Sequence, residues 1–482
     1  MQLTTITDET RLAVTTLAER TLGITAPSVR LGVTGLARAG KTVFISALVH
    51  NLIHGGRLPL FKAYAGGRVF GAQLAPQPDD AVPRFDYESH VAALVDDRVW
   101  PESTRQISEL RLTVQFESAS TLARALGRGR IHIDIVDYPG EWLLDLPLLA
   151  KDYATWSRES IEAAKQATRV GLASPWLTEI ATADAKAPED ETIARRLAEA
   201  FTHYLRATRV QGSSLSILPP GRFLMPGDLE GSPALTFSPL EINDEIAPGS
   251  LAAMMARRYE SYKTAVVRPF FRDHFARLDR QIVLVDALEA LNAGPDAVGE
   301  LEAALADVLA AFRLGRTGWL SGLVTRRIDR ILFAATKADH LHHGDHDRLE
   351  AILSRLVDRA IERARFAGAT VDVIALASVR ATREGTVTHR GRRLPSIIGV
   401  PLPGETVGGR TFDGSEEVAI FPGDLPEQPE PVFQKSGPGS PPLRFARFRP
   451  PQLERTAEGL TLSLPHIRLD RALEFLIGDR LQ

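Results

Sequence analysis

Two glycines, a lysine and a hydroxyl recur at a telling spacing in Gly35-Leu36-Ala37-Arg38-Ala39-Gly40-Lys41-Thr42, which satisfies G-x-x-x-x-G-K-S/T at every fixed position. Those residue types suit one task, the grip on a chain of phosphates. Gly35 and Gly40 let the backbone curl so that successive N–H groups point inward, where a Cβ would obstruct an anion. The backbone of Ala37, Arg38, Ala39 and Val43 completes the cradle, and a helix opening at Thr42 adds the positive end of its dipole. Lys41 is placed to bridge terminal phosphate oxygens, and the Thr42 hydroxyl to take one position on Mg²⁺.

A second constellation follows an alternating strand, Ile131 to Val136, and reads Asp137-Tyr138-Pro139-Gly140-Glu141-Trp142. A carboxylate at the end of a strand beside a phosphate loop suits a further Mg²⁺ ligand. Gly140 can offer its N–H to a terminal phosphate because it has no side chain. Upstream, Trp100-Pro101-Glu102-Ser103-Thr104-Arg105 occupies the position of a nucleotide-sensing loop. Thr104 is the candidate that closes on the metal, with Ser103 as the alternative.

The third constellation is Thr336-Lys337-Ala338-Asp339 at the end of the apolar run Arg330 to Ala335. The Lys337 stem can lie along a purine ring while the Asp339 carboxylate accepts two hydrogens from guanine N1 and its 2-amino group. Adenine offers neither, so an unpaired Asp339 would penalise ATP. Ser378 and Val379, after the strand Val371 to Leu376, are placed to present a backbone N–H to the guanine 6-oxo group.

With these three motifs in order, the chain resembles the YcjX-like family of bacterial Ras-like, stress-associated P-loop GTPases. The resemblance rests on Gly35 to Thr42, on Asp137 to Leu149, on Ala335 to Asp339 and on Leu376 to Thr382, and extends over essentially the whole chain. It implies guanine nucleotide binding (GTP/GDP) with Mg²⁺, a switching G-domain and a role in envelope or general stress through an undefined protein effector. It also implies phosphate contacts from Gly35 to Thr42, γ-phosphate sensing by Asp137 and Gly140, and a base frame of Thr336, Lys337, Asp339 and Ser378. The metal set is then Thr42, Thr104 and Asp137, and the catalytic set Lys41, Thr104, Gly140, Glu141 and Arg38. Two departures from the general GTPase pattern stand out. Thr336 replaces the usual asparagine, and Glu141 follows Gly140 where a water-orienting glutamine is common. Glu141 serves either to orient water or as a helix N-terminal charge, and either Arg38 or Arg105 can neutralise transition-state charge. Three other readings compete: a non-hydrolysing nucleotide-bound scaffold, an ATPase or kinase in which Asp339 is incidental, and a membrane-remodelling GTPase.

The elements that must position these groups follow from hydropathy patterning. The expected fold is α/β, a P-loop NTPase G-domain with a mostly parallel sheet, one antiparallel edge strand and helices on both faces. The antiparallel pair is Leu110 to Glu117 with Ile131 to Val136, and Gln281 to Asp286 reads as a strand covered on both faces. Residues 55–100 read as irregular, and 8–23 as a thin leading helix that packs on the core or touches a membrane peripherally. From 145 to 280 the pattern is helical (Arg158 to Gly171, Glu191 to Arg209, Leu251 to Leu278), far longer than a βα connection. The expected division is therefore 1–144 and 281–382 as two parts of the G-domain, 145–280 as an inserted helical domain, and 383–482 as a small β-rich appendage with a final helix, Leu469 to Ile477. Within that appendage the basic and aromatic residues from Arg444 to Arg449 read as a cationic edge strand, with a nucleic-acid or partner patch as the alternative; upstream, the histidines from His340 to His346 read as a solvated loop.

Composition sets the outer limits. The 482 residues suffice for two or three domains, and 24% charged residues at net charge −3 give no electrostatic case for nucleic acid. Without a cysteine, disulfides and thiolate metal sites are excluded. The acidic first residues and the lack of a spanning apolar run lead to the expectation of a cytoplasmic protein with no transmembrane segment.

Overall fold

A seven-stranded sheet carries the three motifs in the computed structural model. The model describes residues 26–36, 38–102, 104, 106–119, 129–166, 169–211, 218–242, 245–310, 328–389, 391–434, 443–453 and 463–482. The expected helix at 8–23, together with Ala37, Ser103 and Arg105, lies outside the described residues. The strands are β1 (Ser28–Gly35), β2 (Val69–Ala75), β3 (Ser108–Phe116), β4 (Gly129–Asp137), β5 (Arg280–Val285), β6 (Arg330–Ala335) and β7 (Thr370–Ala375), ordered β2-β3-β4-β1-β5-β6-β7. β1 lies at the centre, parallel to β4 and to β5, and β5, β6 and β7 continue the parallel run.

The near-continuous apolar sequence of β5 has its physical counterpart in burial of every residue in the strand. Ile282 and Leu284 pack on one face with the helix α1 (Lys41–His54) and with Leu469, Leu473 and Leu476 from the helix Leu469–Ile477. Val283 and Val285 face the other way, against Leu301 and Leu305 of Pro295–Ala310 and Leu349 and Leu353 of His346–Leu356. Helices thus cover both sides. Among the described residues, no helix is long and apolar enough to cross a membrane.

One expectation is corrected at the sheet edge. β3 runs antiparallel to β4 but is not the edge, because β2, inside the stretch read as irregular, pairs antiparallel on its outer side. The register of β2 shifts between Val69 and Gly71, so its apolar residues lose the strict alternation that marks a half-buried strand.

Between β4 and β5 the chain is helical: Tyr153–Ala164, Val170–Thr182, Glu191–Gln211, and Leu251–Tyr262 running through a π turn into Arg268–Asp273. The first helix starts earlier than its hydropathy suggests because the Asp152 carboxylate caps it, accepting from the Thr155 N–H at 2.8 Å. These helices share a core rich in aromatics, with Trp156 stacked on Tyr259 and Trp176 on Tyr204. The same core takes in Val136, Tyr138 and Trp142, so it reaches the end of β4. Further on, Arg383–His389, Arg392–Gly399 and Val418–Ile420 form a three-stranded antiparallel sheet.

Candidate functional site

The phosphate loop joins β1 to α1, and its two fixed glycines have separate reasons to be there. A Cβ on Gly35 would lie 2.5 Å from the Leu284 carbonyl oxygen of β5, and Gly40, at φ 88°, takes the left-handed conformation that opens α1. Lys41 is buried, its Nζ donating to the carbonyls of Gly35 at 3.0 Å and Leu36 at 3.4 Å.

Beside it, Thr42, Thr104 and Asp137 converge. The Thr42 and Thr104 hydroxyls are 3.4 Å apart, and Thr104 donates to Asp137 Oδ2 at 2.5 Å. Asp137 Oδ1 is buried and has no hydrogen-bond partner among the described residues. Burial pushes the Asp137 carboxyl up to about 6, against the opposing pull of the Lys41 charge and the Thr104 bond. An orphaned buried carboxylate oxygen beside two hydroxyls is an all-oxygen donor set that fits a hard cation such as Mg²⁺.

The base-side motif sits at the end of β6. Lys337, in the left-handed region at φ 61°, caps the turn Ala338–His340 and forms an ion pair with Asp286, the residue after β5. Burial alone would lower the Lys337 ammonium, but the Asp286 carboxylate reverses this and holds it above its ordinary value. Asp339 is buried; its Oδ2 accepts from the Ala381 N–H at 2.8 Å, which ties it to the loop carrying Ser378 and Val379. The Thr336 hydroxyl donates to the Val285 carbonyl at 3.3 Å, which links it to the neighbouring strand.

These two ends open into one cavity of about 300 Å³. Arg38, Gly40, Lys41, Thr42, Val43 and Thr104 line one side of it, and Thr336, Lys337, Asp339, Ser378 and Val379 the other. Gly35, Ala39, Asp137, Gly140 and Glu141 are not among its lining residues. Ala39 is buried beneath the loop, and Glu141 is buried with its carbonyl against Gly221, where a Cβ would come within 1.8 Å. The residues after Gly140 are clasped by the helical segment. The Arg222 guanidinium lies 3.2 Å above the Trp142 ring, and Asp145 accepts from Tyr262 Oη at 2.6 Å and the Gly221 N–H at 2.7 Å.

Residues 29–481 match the YcjX-like family, DUF463. The chain belongs to that family. A relative named Ras-like GTPase YcjX, from Escherichia coli (strain K12), is 39% identical over 468 residues, covering 94% of this chain and 96% of that one. A second of the same name, from Shewanella oneidensis (strain ATCC 700550 / JCM 31522 / CIP 106686 / LMG 19005 / NCIMB 14063 / MR-1), is 34% identical over 476 residues, covering 94% of each.

In this YcjX-like chain several residues at the cleft escaped the sequence reading. Asp286 had a legible signal, an acid ending an apolar strand one place from the Lys337 strand. Trp100 lines the cavity from the expected sensing loop, whereas Leu402, Arg447 and Phe448 line it from remote segments, and no local pattern marks that role. Two expectations are corrected. Arg444 to Arg449 is no edge strand: it makes a single bridge, Phe448 to Pro401, and Ala446 and Phe448 are buried. Its alternation reflects a segment threaded between the cleft and the small sheet. Nor is His340 to His346 a solvated loop throughout. His340 and His346 are buried, and His346 Nε2 meets the Ala338 carbonyl at 3.0 Å, while His342, His343 and Glu384 bring ligand atoms within 4.8 Å of one another.

Proposed function

We propose that this protein is a Mg²⁺-dependent molecular switch that binds GTP or GDP in the shared cleft and hydrolyses GTP slowly. The observation that carries this reading is the single cavity lined by both Lys41 and Asp339. The names of the relatives, Ras-like GTPase, point the same way.

In this reading the loop N–H groups and Lys41 hold the phosphates, with Arg38 at the rim. Lys337 and Asp339 select guanine, with Thr336, Ser378 and Val379 framing the base. Thr42, Thr104 and Asp137 hold Mg²⁺, which when bound supplies charge neutralisation on the phosphate oxygens. Water attacks the γ-phosphate in line, and the fixed donors of the loop stabilise the charge that develops. Gly140 senses the γ-phosphate through its N–H. Turnover is slow because no glutamine stands after Gly140, and Glu141 is buried, its backbone carbonyl held against Gly221. That burial also favours a second reading, a nucleotide-bound sensor without hydrolysis. We assign 145–280 as an inserted helical domain and 383–482 as an appendage, and place the switch in the cytoplasm in a bacterial stress response.

Nucleotide competition followed by thermal shift tests the base assignment. The wild type is expected to prefer GTP over ATP, and Asp339→Asn to lose that preference; an unchanged preference would remove the guanine reading. Phosphate release by the wild type against Lys41→Ala separates the switch from the sensor.

A further inference from the structure

One wall of the cleft comes from far along the chain. Leu402, Arg447 and Phe448 line the same cavity as the phosphate loop and Lys337. They form a paired clip. The Leu402 N–H donates to the Arg447 carbonyl at 2.7 Å, the Arg449 N–H to the Val400 carbonyl at 2.8 Å, and Arg447 Nε to Glu405 at 2.7 Å. The clip is anchored on the base side by the Phe448 ring, 1% exposed, which meets His340 edge-on at 5.5 Å, one residue beyond Asp339. On the phosphate side, Trp100 Nε1 donates to the Phe448 carbonyl at 2.6 Å and Arg98 Nε to the Pro450 carbonyl at 3.2 Å.

We propose that this clip is a latch across the nucleotide site, and that the Trp100 contact with Phe448 sets how fast nucleotide leaves. The inference rests on the guanine nucleotide reading above. Its physical basis is the asymmetry of the two anchors. The base-side anchor is a fully buried ring in a packed core, whereas the phosphate-side anchor is two hydrogen bonds from half-buried side chains, with the Trp100 ring only partly buried against the main core. The second opens at lower cost. Trp100 lies only four residues before Thr104, so a shift of Thr104 away from Asp137 is transmitted along a short tether to the latch. The signal for release thus starts at the terminal phosphate and is carried out by a segment that contacts the opposite end of the ligand.

The test uses the full chain loaded with N-methylanthraniloyl-GDP and chased with excess GDP. Trp100→Phe keeps an aromatic ring, smaller than the indole, and removes the donor, and it is expected to speed release about fivefold, the effect of one neutral hydrogen bond. Arg98→Asn, which tolerates the left-handed backbone at φ 53°, is expected to speed release in the same direction and is the variant to read if Trp100→Phe does not fold. Unchanged release in a folded variant, with the analogue still bound, overturns the latch and leaves the guanine reading standing. A wild type that fails to hold the analogue overturns both.

Discussion

Thr104 donates its hydroxyl to Asp137 at 2.5 Å, which draws a loop residue onto the buried carboxylate that ends β4. Thr42 on α1 lies 3.4 Å from the same hydroxyl. Three elements far apart in sequence thus meet at one all-oxygen corner, and the proposed metal chemistry turns on their staying together.

Removing the Thr104 hydroxyl separates binding from turnover. Thr104→Val is expected to lower Mg²⁺-dependent GTP hydrolysis by at least about tenfold, because in the proposed reading the residue serves the metal in the triphosphate state. GDP affinity should stay within about twofold, since the phosphate loop and base motif are intact. Phosphate release and calorimetric titration check the pair.

The titration of Asp137 gives a signed dependence on pH. Burial raises its carboxyl from 3.8 to about 6 in the folded protein. A group that holds its proton more tightly when folded adds stability below its unfolded value and loses it as pH rises through the folded one. Asp137→Asn cannot ionise, so its melting temperature relative to wild type should climb from about pH 4 to about pH 7 in the absence of Mg²⁺. Scanning calorimetry across that range measures it, and a flat difference contradicts the assignment.

On the guanine reading, Asp286 acts on the base through its ion pair with Lys337. Asp286→Asn retains an acceptor for the Glu289 N–H that Asp286 caps at 3.3 Å, but leaves the Lys337 ammonium without its counter-charge. Guanine nucleotide affinity is expected to fall about tenfold, with little further loss when the change is made in a Lys337→Ala background. Additive losses in equilibrium titration would show that the two residues act separately.

The clasp behind Gly140 is tested by stability. Gly221→Ala drives a methyl to within 1.8 Å of the Glu141 carbonyl, and overpacking against backbone should cost at least about 2 kcal/mol. Tyr262→Phe removes the 2.6 Å bond to buried Asp145 and should cost about 1–2 kcal/mol. Urea unfolding followed by tryptophan fluorescence reads both.

Much of the fold was legible because local pattern and tertiary role agree. The helix from Lys41 to His54, the strand Arg330–Ala335 and the helix Leu469–Ile477 each begin and end where their apolar spacing and glycine stops indicate. β2 was not legible, since Gly71 and a register shift break its alternation. The site was legible where a motif is contiguous, as from Gly35 to Thr42 or from Thr336 to Asp339. It was opaque where a side chain gains its role from a distant partner. Trp100 faces Phe448 across 348 positions, and Arg447 reads as part of a cationic edge strand until the chain brings it to the cleft. Glu141 stands in the first turn of the short helix Gly140–Leu143, the place of a helix N-terminal charge, with its backbone carbonyl against Gly221.

The helix Leu469–Ile477 packs on the same face of the sheet as α1, and Asn51 of α1 exchanges hydrogen bonds with Leu464 just before it. Arg280 at the start of β5 likewise reaches the Leu476 carbonyl and Asp479. During synthesis the strand that leads into the phosphate loop therefore emerges from the ribosome long before the segment that seals its underside. A nascent chain stalled ahead of residue 463 would leave that oily surface uncovered until translation has passed the closing helix.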